Sequence, residues 1–401
     1  MALRYAFSPA RWVAARLAGR RAPAGLAVAL SGLSLRRVEL PAAAAGWSTL
    51  AVRLCGICGT DVATLTGAAG PELSPFVSFP AVLGHEIVAL VEQGAWAGRR
   101  VVVDPFLGCR VRGLPLCPSC AQGRAATCHR FAEGALPPGI LLGYCRGLPG
   151  GWSERLLAHS TQLHAVPPGV DDEAAVLAEP FAVALHAVLP RPPARGERVL
   201  IIGAGTIGLC LLAAARLLGT AAEVVVVARR HAPADLARRL GATDVVASTD
   251  GAEGLAAARE WGAAFPGLLG VRGWTGGFDQ VFDAVGSPAT VAAALRLARS
   301  GGRVALVGAS GTLPRLDSTP LWAHELQVAG YCGYGSEGGP DGEHTIDMAL
   351  RLLAAHPELR LGDLVTHRFP LARYPEALRA CFAHRRSGAV KVVFEPGPSL
   401  D

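Results

Sequence analysis

The hydrophobic positions of the chain follow two different patterns, and the first covers residues 26–165. Short strand-like runs, such as 50–54 and 100–103, are broken there by Gly and Pro. Runs of this kind predict an antiparallel, barrel-like β domain. Near its start, residues 26–30 and 34–40 are also predicted to be strands, which lead toward the first candidate metal ligand.

The second pattern begins after the Pro- and Gly-rich stretch 190–196. Buried strands are predicted at 199–202, 223–227, 244–246, 280–282 and 304–307, and helices at 209–218, 234–240 and 289–298. The strands are rich in β-branched residues and show no alternation, as expected for a parallel sheet that is covered on both faces. This pattern indicates an α/β domain with a doubly wound parallel sheet.

A mixed pattern returns after about residue 330 and ends on a strand at 389–394. We therefore predict that the doubly wound domain interrupts the β-rich one, with bounds 1–177, 178–332 and 333–401. The Gly- and Ala-rich residues 251–277 are interpreted as an insertion.

Composition narrows the class of protein. Of the 401 residues, 51% are hydrophobic and 17% are charged, which is typical of a globular protein. The formal charge of +6 is spread along the chain without a block of Lys and Arg. Nucleic-acid binding is therefore not indicated, whereas an anionic cofactor would suit a mildly basic surface.

Two segments resemble targeting or membrane signals. Residues 1–38 contain many arginines, no acid and the pair Arg20-Arg21, as an export signal would. Because Arg36-Arg37 interrupts this segment, strands are the preferred interpretation. Residues 199–215 approach the length of a membrane span, but their glycines fit a buried strand, turn and helix better. We expect a cytoplasmic protein with no membrane partner.

A thiolate, an imidazole and carboxylates form the first group of candidate metal ligands. These residues are Cys58, His85, Glu86 and Glu179. Such ligands hold zinc with one position open for chemistry, where the metal acts as a Lewis acid and lowers the pKa of an alcohol oxygen while hydride leaves the carbon. We expect Cys58, Thr60, Asp61 and His85 to be the catalytic residues. Thr60 would relay the hydroxyl proton, and Asp61 would orient His85.

A second group is made of cysteines only. Of the ten cysteines in the chain, Cys109, Cys117, Cys120 and Cys128 crowd into one Pro- and Gly-rich stretch. Four thiolates can fill the tetrahedral shell of one zinc ion, which leaves no position for a substrate. We therefore predict a structural zinc lobe at about residues 105–130.

A glycine-rich turn follows the strand predicted at 199–202 and opens a helix. Its residues are Gly203, Gly205, Thr206, Ile207 and Gly208. Glycines at this spacing allow the tight turn and the close approach of a pyrophosphate to the helix N-terminus. The second strand is followed by Ala228, Arg229 and Arg230 rather than by an acid. An arginine pair suits the additional phosphate of NADP, so NADP is expected in preference to NAD.

Together these elements resemble the zinc-dependent medium-chain dehydrogenase/reductase superfamily, which includes alcohol, sorbitol, threonine and glucose dehydrogenases. The resemblance covers about residues 26–394, where the motifs occur in the family's order, and it includes 283–286 and 302–308. It implies a GroES-like catalytic domain, a Rossmann domain, two zinc ions per chain and a homodimer or homotetramer. It also implies reversible oxidation of a small-molecule alcohol to a carbonyl, with a nicotinamide cofactor in the cleft between the domains.

Three positions qualify this resemblance. Glu179 matches a place where alcohol dehydrogenases have cysteine and where polyol and threonine dehydrogenases often have an acid, which favours a polyol, a sugar or a hydroxy-amino acid as substrate. Many relatives have a proton-relay histidine where this chain has Ala63. Seven residues separate Cys109 from Cys117, whereas two are common.

The residues leave several alternatives open. The sequence does not decide whether Glu86 or Glu179 binds the catalytic zinc. A zinc-independent enone or quinone reductase of the same superfamily, or a non-catalytic relative that senses a nucleotide, would share the fold.

Overall fold

Strands and helices follow one another along the computed structural model, which describes residues 1–19, 23–94, 96–220, 223–250, 264–266, 268, 272–274, 276–308 and 311–397. The strands are β1 (Ala2–Tyr5), β2 (Leu33–Arg36), β3 (Trp47–Gly56), β4 (Ala81–Val82), β5 (Glu86–Gln93), β6 (Arg100–Val103), β7 (Arg155–His159), β8 (Leu163–Ala165), β9 (Arg198–Ile202), β10 (Glu223–Val227), β11 (Asp244–Val246), β12 (Ala264–Pro266), β13 (Arg272–Trp274), β14 (Phe278–Asp283), β15 (Ala298–Leu306), β16 (Gln327–Gly330), β17 (Val365–Phe369) and β18 (Lys391–Phe394).

The α-helices are Pro9–Ala18, Ala24–Leu30, Gly59–Leu65, Pro118–Ala121, Asp172–Ala175, Ala178–Val188, Thr206–Leu218, His231–Arg239, Pro288–Leu297, Thr319–Ala323, Thr345–Ala355, Tyr374–Phe382 and His384–Ser387. Short 3₁₀ helices occupy Pro71–Phe76, Ala125–Thr127, Ser160–Gln162, Pro357–Leu359, Leu361–Leu364 and Leu371–Arg373. Among the described residues, no helix has both the length and the apolar character that crossing a membrane requires. Most of the predicted insertion at 251–277 lies outside the described residues.

The chain forms two compact units, of which the first combines Met1–Ala182 with Tyr334–Asp401. Its main sheet has the strand order β17-β18-β3-β5-β6-β8, and β7 also pairs with β3. All of these pairs are antiparallel except β17 with β18. A smaller sheet has the order β2-β1-β4. The β-rich domain expected from the sequence is thus confirmed.

The second unit is Val183–Gly333. Its sheet has the strand order β11-β10-β9-β14-β15-β16, and every pair in it is parallel. Because β9 lies between β10 and β14, the turn after β9 lies where the order of the strands reverses. Ligands of such sheets bind at that point, beyond the carboxyl ends of the strands. The predicted parallel α/β domain is confirmed.

One predicted strand is wrong. Residues 26–30 lie in the helix Ala24–Leu30, and a strand follows only at β2. The apolar run has no alternation, and its Ala and Leu residues favour a helix. Val28 packs this helix against the core of the first unit, and Gly32, at a φ of 70°, follows its end.

Candidate active site and metal centres

Cys58 lies between β3 and the helix Gly59–Leu65, at the position that caps this helix. The backbone N–H of Cys58 donates to Asp61 Oδ2 over 2.9 Å, which closes a capping box. The hydroxyl of Thr60 donates to Cys58 Sγ over 2.9 Å. The helix start therefore fixes the thiol and places a hydroxyl group beside it.

His85 depends on the glycine before it. Gly84 has a φ of 95°, and a Cβ there would lie 2.3 Å from the ring of the buried Trp152 and 2.7 Å from Cys55 Sγ. Glycine therefore lets the backbone pass close to Trp152 and Cys55 just before His85. His85 is 6% exposed. Its Nδ1 lies 3.7 Å from Asp61 Oδ1 and has no hydrogen-bond partner among the described residues.

Asp61 is the centre of the hydrogen bonds behind these ligands. It is fully buried, and the hydroxyl of Tyr144 donates to its Oδ1 over 2.9 Å. Burial raises the pKa of Asp61, although the charge of His85 and the bonds from Cys58 and Tyr144 oppose this effect. Tyr144 could not be identified from the sequence, because only the fold brings it to Asp61, which lies 83 positions earlier in the chain.

Glu86 forms a buried ion pair that the sequence analysis also missed. Lys391 Nζ lies 2.7 Å from Glu86 Oε1 and 2.6 Å from Oε2, and both residues are at most 2% exposed. Burial lowers the pKa of Lys391, but the negative charges around it, chiefly those of Glu86 and Cys58, together outweigh burial and raise it. A Cβ on Gly56 would lie 1.7 Å from Glu86 Oε2, so the carboxylate needs glycine there. The clue was that Lys391 is the single lysine of the chain.

Glu179 lies in the first turn of the helix Ala178–Val188 and is 6% exposed. Burial raises the pKa of its carboxyl group to about 8; the charge of Glu86 adds to this effect, and His85 opposes it. Ligand atoms of Cys58, His85 and Glu86 all lie within 4.8 Å of one another. Glu179 is close enough to influence these groups but lies outside that cluster. A thiolate, an imidazole and a carboxylate at this spacing fit a zinc ion.

The four cysteines of the second group come together in one lobe. Cys109 Sγ lies 3.6 Å from Cys128 Sγ, and Cys117 Sγ lies 4.0 Å from Cys128 Sγ. A tetrahedral ZnS₄ centre with bonds of about 2.3 Å has S–S edges of about 3.8 Å. The ligand atoms of all four residues lie within 4.8 Å of one another. The lobe therefore fits a closed zinc site, and the long segment after Cys109 still brings that thiol to the other three.

Backbone N–H groups point at these sulfur atoms. The N–H groups of Cys120 and His129 both lie 3.5 Å from Cys117 Sγ. Burial raises the pKa of Cys117, but these bonds outweigh burial and lower it to about 6. Burial raises the pKa of Cys120 and Cys128. Burial thus disfavours the thiolate form of Cys120 and Cys128. A divalent cation would offset this effect, since it stabilises all four thiolates together.

Arg112, in the long segment after Cys109, is 1% exposed. Its guanidinium group donates five hydrogen bonds to backbone carbonyls, namely those of Leu107, Glu133, Leu136, Pro137 and Gly139. Burial lowers the pKa of Arg112, whereas nearby cysteines, including Cys109 and Cys128, raise it. Arg112 therefore joins the zinc lobe to residues 133–139 and places a positive charge beside the thiolates.

In the second unit, the glycine-rich turn joins β9 to the helix Thr206–Leu218. Gly203 has a φ of 104°, and a Cβ on Gly208 would lie 1.7 Å from the carbonyl oxygen of Gly203. A Cβ on Gly205, in contrast, would meet no atom within 4 Å. Gly203 and Gly208 thus allow close packing of the turn against the helix. Gly205 leaves open space at the start of the helix, which begins with Thr206 and Ile207. This arrangement fits a dinucleotide pyrophosphate.

The end of β10 carries the residues expected to select the nucleotide. Ala228 is 6% exposed and donates its N–H to Val246. Arg229 is exposed, and Arg230 is half-buried at the cap position of the helix His231–Arg239. An apolar residue therefore occupies the position where an acid would bind the ribose hydroxyls of NAD, and two arginines follow it.

Two protein families match the chain. The family described as alcohol dehydrogenase GroES-like domain matches residues 44–168, and the family described as zinc-binding dehydrogenase matches residues 206–355. L-galactonate-5-dehydrogenase of Escherichia coli (strain K12) is 31% identical over 354 residues, which are 84% of this chain and 88% of that protein. Sorbitol dehydrogenase of Arabidopsis thaliana is 26% identical, over 92% of this chain and 93% of that protein.

Solved structures show the same fold. A protein from Sinorhizobium meliloti 1021, solved bound to NADP, is 27% identical and superposes with a TM-score of 0.71 over 91% of this chain and 96% of that one. 2R,3R-butanediol dehydrogenase from Bacillus subtilis has a TM-score of 0.72 over 99% of both chains, at 21% identity, which concerns the fold alone.

The buried guanidinium of Arg112 leads to a first prediction. The variant Arg112→Met should lose about 3 kcal/mol of unfolding free energy, because several buried carbonyls lose their donors. It should also release zinc from the lobe faster to a coloured chelator. The matched control is Arg110→Met, since Arg110 is exposed in the same segment. Equal urea midpoints for the two variants would contradict the assigned role of Arg112.

The buried ion pair of Glu86 and Lys391 leads to a second prediction. The variant Lys391→Met should lose about 3–5 kcal/mol of unfolding free energy, because it leaves the Glu86 carboxylate buried without its cation. The double variant with Glu86→Gln should recover much of this loss, since the uncompensated charge is gone. A urea-unfolding double-mutant cycle measures the coupling, and purely additive losses would refute it.

Proposed function

The chain belongs to the zinc-binding medium-chain dehydrogenase superfamily, and we propose that it transfers hydride between a polyol, sugar or hydroxy-amino acid and NADP. It is a zinc-containing, NAD(P)-dependent, alcohol dehydrogenase-like oxidoreductase. The observation that carries this proposal is the cluster of Cys58, His85 and Glu86, with the buried Glu179 nearby. Zinc and a nicotinamide dinucleotide are its cofactors.

Cys58 and His85 hold the catalytic zinc in this proposal, with Glu179 as the third ligand. Both carboxylate oxygens of Glu86 already pair with Lys391, whereas the buried Glu179 would gain a countercharge from a cation. Zinc bound there supplies a Lewis acid that lowers the pKa of an alcohol. The Thr60 hydroxyl, beside the Cys58 sulfur, takes part in moving the substrate proton. Asp61 holds His85 in position through its charge.

The expected substrates are polyhydroxylated. Relatives of the chain are named sorbitol dehydrogenase, L-idonate 5-dehydrogenase, L-galactonate-5-dehydrogenase and L-threonine 3-dehydrogenase. Glu179 supports the same class, because a carboxyl group in place of a cysteine adds a hydrogen-bond acceptor for neighbouring hydroxyls. A panel of sorbitol, L-idonate, L-galactonate and L-threonine, followed by near-ultraviolet absorbance of the reduced cofactor, tests this choice. Turnover of simple primary alcohols alone would overturn it.

NADP is the proposed cofactor because Arg229 and Arg230 follow β10 and no acid precedes them. Residues 178–332 bind it, and residues 1–177 with 333–401 carry the catalytic groups other than Glu179, in a homodimer or homotetramer. The assembly remains a prediction, which light scattering of the purified protein measures directly.

Loss of the proposed zinc ligands gives a third prediction. Cys58→Ser and His85→Asn should each lower turnover by about 10³-fold or more, since a Lewis acid supplies several kcal/mol to the reaction. Both variants should keep zinc in the cysteine lobe and fold normally, as circular dichroism and metal analysis would show. Cys332→Ser, at an exposed cysteine, is the matched control. Undiminished turnover in a metal-stripped Cys58→Ser variant would favour a zinc-independent reductase.

Removal of both arginines gives a fourth prediction. The double variant Arg229→Ala with Arg230→Ala should lower the ratio of kcat/KM for NADP over NAD by about 10- to 100-fold, which corresponds to the loss of one or two charge-assisted hydrogen bonds. The control is Arg238→Ala, at an exposed residue near the end of the helix His231–Arg239, which follows the arginine pair. It should leave the ratio unchanged. An unchanged ratio in the double variant would exclude the proposed role of the pair.

A further inference from the structure

A third group of metal-ligand side chains lies in the first unit, outside the two zinc sites. It consists of Asp104, His164 and His344, and one ligand atom of each lies within 4.8 Å of the others. Asp104 follows β6, His164 lies in β8, and His344 caps the helix Thr345–Ala355. Because β6 pairs with β8, with Val102 opposite His164, the sheet fixes two of the three side chains.

His164 has the surroundings of a metal ligand. It is 7% exposed, and its Nδ1 lies 2.8 Å from Asp347 Oδ1. A carboxylate that binds one ring nitrogen fixes the tautomer, so the other nitrogen presents a lone pair. That nitrogen, Nε2, is buried and has no hydrogen-bond partner among the described residues. A buried acceptor without a donor is costly unless a cation or another donor approaches it.

Asp104 supplies the negative charge of the group. It is 5% exposed, and its Oδ1 accepts the N–H of Phe106 over 3.1 Å and lies 3.5 Å from the Tyr334 hydroxyl. Its Oδ2 lies 3.6 Å from His344 Nε2, which is longer than a hydrogen bond. The Asp104 carboxylate therefore lies beside both imidazoles, and against the effect of burial its interaction with His344 raises the pKa of that histidine.

His344 completes the set. Its ring centroid lies 4.4 Å from that of His164 with 25° between the planes, so the two rings are stacked. Its Nδ1 accepts the N–H of Ile346 over 3.3 Å. If a metal ion binds Nε2, the single N–H proton of the neutral ring moves to Nδ1. The cost is the loss of this long, weak hydrogen bond.

We propose that Asp104, His164 and His344 bind a third divalent transition-metal ion. Two imidazoles and one carboxylate suit Zn²⁺, Co²⁺ or Ni²⁺ rather than Mg²⁺ or Ca²⁺, which prefer oxygen ligands. Asp347 is the supporting carboxylate behind His164. This ion is additional to the two zinc ions of the proposed function, so neither proposal depends on the other.

Zinc counting provides the first test. The full-length protein is dialysed to equilibrium in zinc buffer, and bound metal is measured by mass spectrometry. The variants His164→Gln and His344→Gln should each hold one equivalent fewer than the wild-type chain, which holds three when both zinc sites are filled. The control His356→Gln removes a partly exposed histidine that also pairs with a carboxylate, Glu358, and should match the wild type. Equal zinc content in the wild type and in both variants would overturn the proposal, whatever the occupancy of the other two sites.

Cobalt absorbance locates the ion without reference to activity. Co²⁺ added to protein that holds only two zinc equivalents should give visible d–d bands without the near-ultraviolet charge-transfer band that thiolate ligands produce. The variant Asp347→Asn should weaken this binding by about 10- to 100-fold, as expected for the loss of a carboxylate behind a histidine ligand. If His164→Gln does not fold, the less buried His344→Gln decides. A thiolate band would place the cobalt in the known sites and refute the third one.

Discussion

The buried pair of Glu86 and Lys391 is the interaction on which the catalytic unit depends. Glu86 begins β5, beside the proposed ligand His85, and Lys391 begins β18, near the end of the chain. In the sheet, β3 lies between these two strands, and Gly56 is in register with both Glu86 and Val393. The absence of a side chain at Gly56 lets the carboxylate and the ammonium group meet across the middle strand. The pair therefore ties the returning C-terminal segment to the metal ligands.

This connection has an electrostatic consequence for the metal. An unpaired Glu86 would add a second buried carboxylate next to Glu179, and its charge already raises the pKa of that group. Lys391 balances one of the two negative charges. If zinc binds Cys58, His85 and Glu179 as proposed, the site would have a small net charge, and an alcohol oxygen could become negative there without strong repulsion. The ion pair thus stabilises the fold and also sets the charge at the site.

Local patterns predicted much of the molecule, because their physical causes are local. The parallel sheet follows from unalternated β-branched runs, and the glycine-rich turn follows from the space that a pyrophosphate needs. The cysteine spacing identified the lobe, although the long segment after Cys109 left its geometry open. The helix Ala24–Leu30 was mispredicted, because a short apolar run fits a buried helix as well as a strand and only contacts with the core decide between them.

What the sequence could not supply is the set of partners that only the fold brings together. Tyr144 meets Asp61, and Lys391 meets Glu86, across 83 and 305 positions of the chain. No periodicity or spacing encodes such pairs. The same holds for Arg112, whose five acceptors are backbone carbonyls and therefore leave no trace in residue types.

The three groups of ligands differ in how their polar atoms are satisfied, and this difference separates their roles. In the cysteine lobe, four sulfur atoms that accept backbone N–H groups would hold a metal ion with no position left for a substrate, so its role would be structural. At Cys58 and His85, the Thr60 hydroxyl donates to the thiol and the Asp61 carboxylate lies beside the imidazole. At His164, one nitrogen is fixed by Asp347 and the other faces Asp104 and His344 without a donor. A buried lone pair that is oriented but unused is a stronger sign of a missing cation than the residue types alone, because folding has already met the cost of holding it in place.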